Sequence, residues 1–316
     1  MASISSGLGE VSFLQLTHFY DEKNSIGGFS MGTGGAGIMG SFCFLIMTNV
    51  LGMSSWFALT AFAMVPIAFP IIFFLVLPTP IHGARYDSLS QDIRLRSSAD
   101  MEPQDETQIL ALSVRSLEAN WNRFWQHFDS TTRLIIPLVR PYMVPLCSVY
   151  IAEYVINQGI SPTLLFPLND LPQWLFKSYR DIYVVYGFVY QFGVFFSRSS
   201  VTFGFRFKRL YVLSLLQILN VVITIYQSLY DVPFNSILPV MILIFYEGLL
   251  GGLSYVNTFM SVSQNVNSDT REFSMACVGI SDSFGIMVAG FLNVWLEKSL
   301  CAKQVSRGRD WCMVGS

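Results

Sequence analysis

The sequence predicts an all-α, polytopic membrane protein. Hydrophobic residues make up 52% of the 316-residue chain and charged residues only 13%, where soluble domains average about 25%. Mean hydropathy is +0.48. Eight apolar runs reach the roughly 20 residues an α-helix needs to cross a bilayer: approximately 2–19, 28–50, 54–77, 134–158, 181–198, 210–230, 234–260 and 273–296. The net charge of −2 gives no electrostatic reason to expect nucleic acid.

The first run opens almost at Met1, without a basic n-region or a small-residue cleavage site. It reads as a helix whose beginning is missing rather than as a signal peptide. The second run contains Gly32-Thr33-Gly34-Gly35-Ala36-Gly37, a literal G-x-G-x-x-G. A dinucleotide site needs that pattern between a strand and a helix. Inside an apolar run it reads as small residues that let helices approach closely. The overlapping Gly28-Phe29-Ser30-Met31-Gly32 has the G-x-S-x-G form of a hydrolase elbow. With only three histidines, His18, His82 and His127, and no strand context, it supports no triad. The chain reads as a non-enzyme, with no metal or cofactor site.

After the third run comes a polar segment, 78–133, with mixed charges from Arg85 to Glu106. This composition predicts a partly disordered loop. Leu112, Trp121, Phe124, Trp125 and Phe128 offer residues 110–128 an apolar face for an interfacial helix. Asp105-Glu106-Thr107-Gln108-Ile109-Leu110 has the form of an acidic dileucine sorting signal, with Asp105, Ile109 and Leu110 as its read positions and sorting adaptors as its partners.

Arg198, Arg206, Lys208 and Arg209 cluster between the fifth and sixth runs. The positive-inside rule puts this short loop in the cytosol, and segment 78–133 on the same side two crossings earlier. Five runs after that segment would leave the tail opposite the cytosol. Yet Lys298, Lys303, Arg307 and Arg309 outnumber Glu297 and Asp310 there. Either the tail lies there despite its charge, or residues 161–176 hide an extra segment. Pro162, Pro167 and Pro172 favour a re-entrant or extramembrane loop. The resulting division is 1–77 as a transmembrane half of three spans, 78–133 as the loop, 134–296 as a second transmembrane half, and 297–316 as a polar tail. Of the five cysteines, Cys301 and Cys312 either pair or carry lipid, and their spacing decides neither.

Glu10, Glu153, Arg198, Glu247 and Asp282 stand inside or at the ends of otherwise apolar runs. Each such charge costs roughly 2.5–3.5 kcal/mol at mid-membrane, so these residues face a bundle interior or a wet cavity. Tyr150, Glu153 and Asn157 share one helical face, so Glu153 is a candidate to take up and release a proton. Its alternative is a structural partner for a cation on another helix. Glu247, Gly251, Ser254 and Thr258 form a polar stripe beside the close-packing pair Gly248 and Gly252. Arg198 either snorkels to the interface or binds an anion. Asn257 and Asp282 are lining or supporting polar groups.

These residues carry a resemblance that runs nearly end to end. Ala2–Val11, Gly32–Gly37, Ala152-Glu153-Tyr154-Val155-Ile156-Asn157-Gln158-Gly159, Ser197-Arg198-Ser199-Ser200, Tyr246–Gly252, Tyr255–Phe259, Arg271-Glu272-Phe273 and Ile280-Ser281-Asp282 resemble the battenin family, whose loss causes juvenile neuronal ceroid lipofuscinosis. The resemblance implies a major-facilitator-like helical bundle of 11–12 spans, of which about eight are present here in an N-terminally truncated chain. It also implies a lysosomal, late-endosomal or vacuolar membrane. Transport or export of small anionic glycerophosphodiesters is the implied function, with effects on lysosomal pH and autophagy. The alternatives are a non-transporting scaffold for endolysosomal trafficking and vacuolar basic amino-acid transport. The implied partners are the bilayer, the anionic solute and protons. Cys312 stands one residue too early for a prenylated C-a-a-X end, so that feature does not carry over.

Overall fold

The computed structural model describes residues 22–77 and 131–313, with Gly9, Ser12, Phe13, Leu16 and Tyr20 as isolated positions before them. The first expected span lies largely outside the described residues, and Glu10 with it. Residues 78–130 also lie outside, so the expected interfacial face, the sorting signal at Asp105, Ile109 and Leu110, and the basis of the scaffold alternative are not described.

Among the described residues every regular element is helical. Six stretches are long and apolar enough to cross a membrane: Ser25–Val50, Ser55–Leu75, Thr131–Thr163, Leu210–Tyr230, Ile237–Asn265 and Thr270–Ser306. The chain is a multi-pass helical membrane protein. Between the third and fourth stretches stands Tyr179–Ser199, whose 21 residues rise about 31 Å but whose Tyr, Gln, Ser and Arg dilute its apolar character.

Helix α1, Glu22–Leu45, widens at its end into a π turn, Ile46–Val50. Its glycine-rich stretch is helical and lies on α5, Tyr179–Ser199. A Cβ at Gly34 would stand 3.3 Å from Cα of Phe195, and one at Gly37 would collide with the Gln191 side chain. The crossing expected over 54–77 is present at Ser55–Leu75. It divides into α2, Ser55–Phe62, and α3, Ala68–Leu75, around a 3₁₀ turn at Val65–Ile67. Pro66 in that turn has no N–H to continue the α ladder. The pair turns Trp56, Phe57, Phe69, Phe74 and Leu75 outward, as befits helices whose solvent is hydrocarbon.

The remaining crossings form the packed body. Helix α4, Val144–Tyr154, is flanked by π turns at Val139–Met143 and Val155–Ile160. After α5 come α6, Leu210–Tyr230, α7, Ile237–Asn265, and α8, Ser268–Ser306. Helix α5 packs most extensively on α7 and α1, and α4 packs on α8 and α6. At the α5–α7 crossing, a Cβ on Gly193 would strike the Phe245 carbonyl, and one on Gly248 the Tyr190 carbonyl. The two backbones are therefore in direct contact. At 39 residues, or about 58 Å, α8 exceeds a hydrocarbon core of about 30 Å, so residues 297–306 of the expected tail are helical.

Residues 161–176 contain two 3₁₀ turns, Ser161–Thr163 and Leu168–Asp170, and no further crossing. Leu164, Leu165, Phe166, Leu171 and Phe176 are buried, so this proline-rich connection folds back over the bundle end. Five crossings therefore follow the 78–133 segment, and the tail lies at the end opposite the basic loop 200–209 despite its charge. Arg309 donates to the Leu165 carbonyl at 2.9 Å and pairs with Asp231, and its guanidinium lies 4.2 Å over the Trp311 ring. Arg307 also reaches Asp231, at 3.4 Å. Cys301 and Cys312 are joined by a disulfide. Gln304 binds this end together by donating to the carbonyls of Thr163 and Ser228 at 2.8 Å each.

Two apolar clusters fill the body. One, toward the basic loop, contains Leu146, Tyr150, Tyr255, Phe259 and Met275. The other, toward the tail, contains Ile156, Ile160, Phe166, Ile182, Tyr186 and Ile244. Tyr154 packs against both. The polar site sits between them.

Candidate proton and solute site

Glu153 is 3% exposed and Glu247 is fully buried. The shared face expected of Tyr150, Glu153 and Asn157 exists, and it points at α5 and α7. Tyr190 on α5 donates its hydroxyl to Oε1 of Glu153. The other side of that carboxylate rests on Gly251 of α7, where any Cβ would collide with it. One π turn along, Asn157 donates through Nδ2 to Oε1 of Glu247 at 2.8 Å. Widening at Val155–Ile160 rotates Asn157 relative to a regular α register, and Asn293 of α8 donates to the Tyr154 carbonyl at the junction, at 2.9 Å.

Each carboxylate is thus held by one oxygen. Oε2 of Glu153 and Oε2 of Glu247 are buried with no hydrogen-bond partner among the described residues. Leaving a buried polar atom unmade costs about 1–3 kcal/mol, and more when it is charged. Gln217 and Asn220 of α6 are in the same condition, so what singles out this pair is that both atoms are carboxylate oxygens.

Arg198, at the end of α5, is held in an aromatic cage rather than extended to an interface. It donates to Oγ1 of Thr33 at 2.7 Å and to the Tyr150 hydroxyl at 3.4 Å. Its guanidinium lies 4.1 Å from the centre of the Tyr255 ring. Arg198 and Glu153 form no ion pair, and Nε of Arg198 is buried without a partner. Ser197 beside it donates to the Val194 carbonyl at 3.0 Å and to the Gly248 carbonyl at 3.3 Å, stitching α5 to α7.

A cavity of about 440 Å³ lies between α1, α4 and α5. Asn157 and Tyr190 line it together with Tyr154, Gln158, Tyr183 and Gln191. The two donors that hold the carboxylates are therefore also the wall of the cavity. Its volume is within the range of small-molecule sites.

Two sequence-predicted residues stand elsewhere. Asp282 is buried on α8 and accepts from the Ser283 backbone N–H at 2.5 Å. Asn257 accepts from the Phe207 N–H at 2.7 Å, which fastens the basic loop to α7. Tyr190, Tyr255 and Thr33 are the site residues the sequence reading missed. Tyr190 had a signal: Tyr183, Tyr186, Tyr190, Gly193 and Ser197 form one helical stripe of aromatic, small and polar residues.

The bundle and its buried pair of carboxylates define a class, a multi-pass helical membrane protein with a polar layer at its waist. The chain belongs to the battenin family: the family model described as "CLN3 protein" matches residues 1–303. A relative in Debaryomyces hansenii named "Protein BTN1" is 58% identical over 315 residues, which cover 100% of this chain and 74% of the relative. "Protein BTN1" of Candida albicans is 58% identical over 322 residues, covering 100% and 75%. "Protein BTN1" of Saccharomyces cerevisiae is 43% identical over 323 residues, covering 98% and 75%. No solved structure matches the chain.

Proposed function

We propose that this protein is a proton-coupled transporter or export factor of a lysosomal or vacuolar membrane, handling a small anionic solute of the glycerophosphodiester class, with consequences for organellar pH and autophagy. The observation that carries this reading is the layer of two buried carboxylates whose only donors, Tyr190 and Asn157, also line the 440 Å³ cavity. In this mechanism a proton on Oε2 of Glu153 or Glu247 removes a buried charge, and Arg198 supplies the complementary cation for the solute's phosphate. Rocking of α4 against the α5–α7 pair would alternate access to the layer. Asn257 and Asp282 support the layer from outside it. No catalytic step enters this reading. The partners are the bilayer, the solute, protons and, through segment 78–133, sorting adaptors.

A second reading, a basic amino acid as solute, is favoured by the same unpartnered Oε2 atoms, which would accept from an ammonium or guanidinium group. One experiment separates them. The chain is reconstituted in vesicles with a pH gradient, and efflux of labelled glycerophosphoglycerol, which carries a net negative charge, and of labelled arginine is followed. Efflux of the first that loses its pH dependence in Glu153→Gln supports the proposal. Efflux of arginine alone moves the assignment to the second reading. Flux unchanged in Glu153→Gln at every pH would remove Glu153 from the proton path.

A further inference from the structure

A second cavity, of about 620 Å³, lies at the basic-loop end between α4, α6 and α7 and shares no lining residue with the first. Arg206, Lys208 and Arg209 line it with Tyr142, Gln264 and Asn265. One short connection brings three cations to one wall. Residues 205–209 have no helical structure. Phe207 packs against the core and its N–H is fixed by Asn257 at 2.7 Å. Arg206 and Lys208 flank this anchored residue and line the cavity with Arg209.

The electrostatics are one-sided. Among the described residues no acidic side chain lines the cavity. Arg209 is the residue before the first turn of α6, where the helix itself presents partial positive charge and unsatisfied N–H groups. A cation there is unfavourable unless an anion joins it. Arg206 donates to Oε1 of Gln264, which holds it over the floor of the cavity, and its Nε is buried with no hydrogen-bond partner among the described residues. Asn265 donates to the Tyr142 hydroxyl at 3.1 Å, so floor and wall are braced before any ligand arrives.

We propose that this cavity binds a phosphomonoester anion, presented either by a phosphoinositide headgroup in the adjacent leaflet or by a soluble phosphate ester. Guanidinium and ammonium groups beside a helix N-terminus recognise that chemistry. Basic cavities between membrane helices on the side favoured by positive charge hold such headgroups. The site is independent of the transport reading, since its ligand need not cross the membrane.

The test uses the full chain in detergent micelles and in vesicles of phosphatidylcholine with or without a phosphoinositide. Binding of inositol trisphosphate is measured by titration calorimetry, and bound lipid by native mass spectrometry. The double variant Lys208→Gln/Arg209→Gln leaves Arg206 on Gln264 and should weaken inositol trisphosphate about tenfold or more, while its melting temperature stays that of the parent. Retention of phosphoinositide and its displacement by inositol trisphosphate identify the headgroup as the source. Inositol trisphosphate binding without lipid retention identifies a soluble ester. Equal affinity in parent and double variant, or equal retention of phosphatidylcholine and phosphoinositide with no inositol trisphosphate binding, overturns the proposal. Gln264→Leu gives an independent check, because it releases Arg206 without changing charge and should also weaken binding.

Discussion

The carboxylate of Glu153 lies directly on the backbone of Gly251, so that α4 and α7 meet at a charge seated on a missing side chain. Sequence explains both halves. Gly251 belongs to a run of small residues on α7, and Glu153 is the acidic member of a polar face on α4. A methyl group at 251 has nowhere to go except into the carboxylate. Gly251→Ala should therefore cost about 1–3 kcal/mol by overpacking. The fall in melting temperature in detergent measures it. Pairing it with Glu153→Ala should recover much of the loss, and full additivity of the two would deny the contact.

Among the described residues Asn157 is the sole donor to Glu247. Replacing it by Leu leaves both oxygens of a fully buried carboxyl without partners, at a cost of about 1–3 kcal/mol. Glu247→Gln in that background removes the burden of the charge and should restore part of the stability. Identical melting of Asn157→Leu and the parent would mean that Glu247 finds another donor.

Tyr190→Phe keeps the ring and removes the hydroxyl held by Glu153. A hydrogen bond to a charged group is worth about 1.5–3 kcal/mol, so the pH profile of reconstituted flux should move while protein yield holds. Tyr186→Phe is the control. Its hydroxyl donates to the Leu164 carbonyl at 2.9 Å rather than to a carboxylate, and the change should affect stability alone.

Asn257→Ala frees the Phe207 N–H and lets the basic loop drift. Stability should drop by about 1–3 kcal/mol, and inositol trisphosphate should bind more weakly although no cation has been touched. Calorimetry on this variant reads both effects.

Non-reducing peptide mapping should recover a cross-link between the segments holding Cys301 and Cys312, with Cys43, Cys147 and Cys277 free. In Cys312→Ser, the released Cys301 should react with a membrane-impermeant maleimide added to the face opposite the basic loop. Labelling only from the basic-loop face would reverse the threading.

Helix existence was legible because apolar runs of spanning length and a 3.6-residue polar face are local properties. The shared face of Tyr150, Glu153 and Asn157 followed from spacing alone. What the sequence concealed lay between helices. Nothing near Gly251 says that a carboxylate ninety-eight positions earlier would rest there, and nothing near Asn257 says that it serves the basic loop rather than the carboxylate layer. The break inside the 54–77 crossing was hidden for a different reason: its apolar character is continuous, while Pro66 interrupts only the backbone ladder. The tail misled through charge, since the basic surplus that usually marks the cytosolic side is partly absorbed by Asp231.

The carboxylate layer between two dry clusters has an electrical consequence. A membrane potential falls across low-dielectric material and not across a wet cavity, so the two clusters divide the voltage and the layer becomes an intermediate electrode. Under the proposed transport, an ion stopping at Glu153 would have crossed only part of the field, and completing the crossing would take the rest of about 2.3 kcal/mol per charge for each 100 mV. Thickening one cluster would therefore change which half-reaction the voltage drives, without altering a single residue that touches the ion.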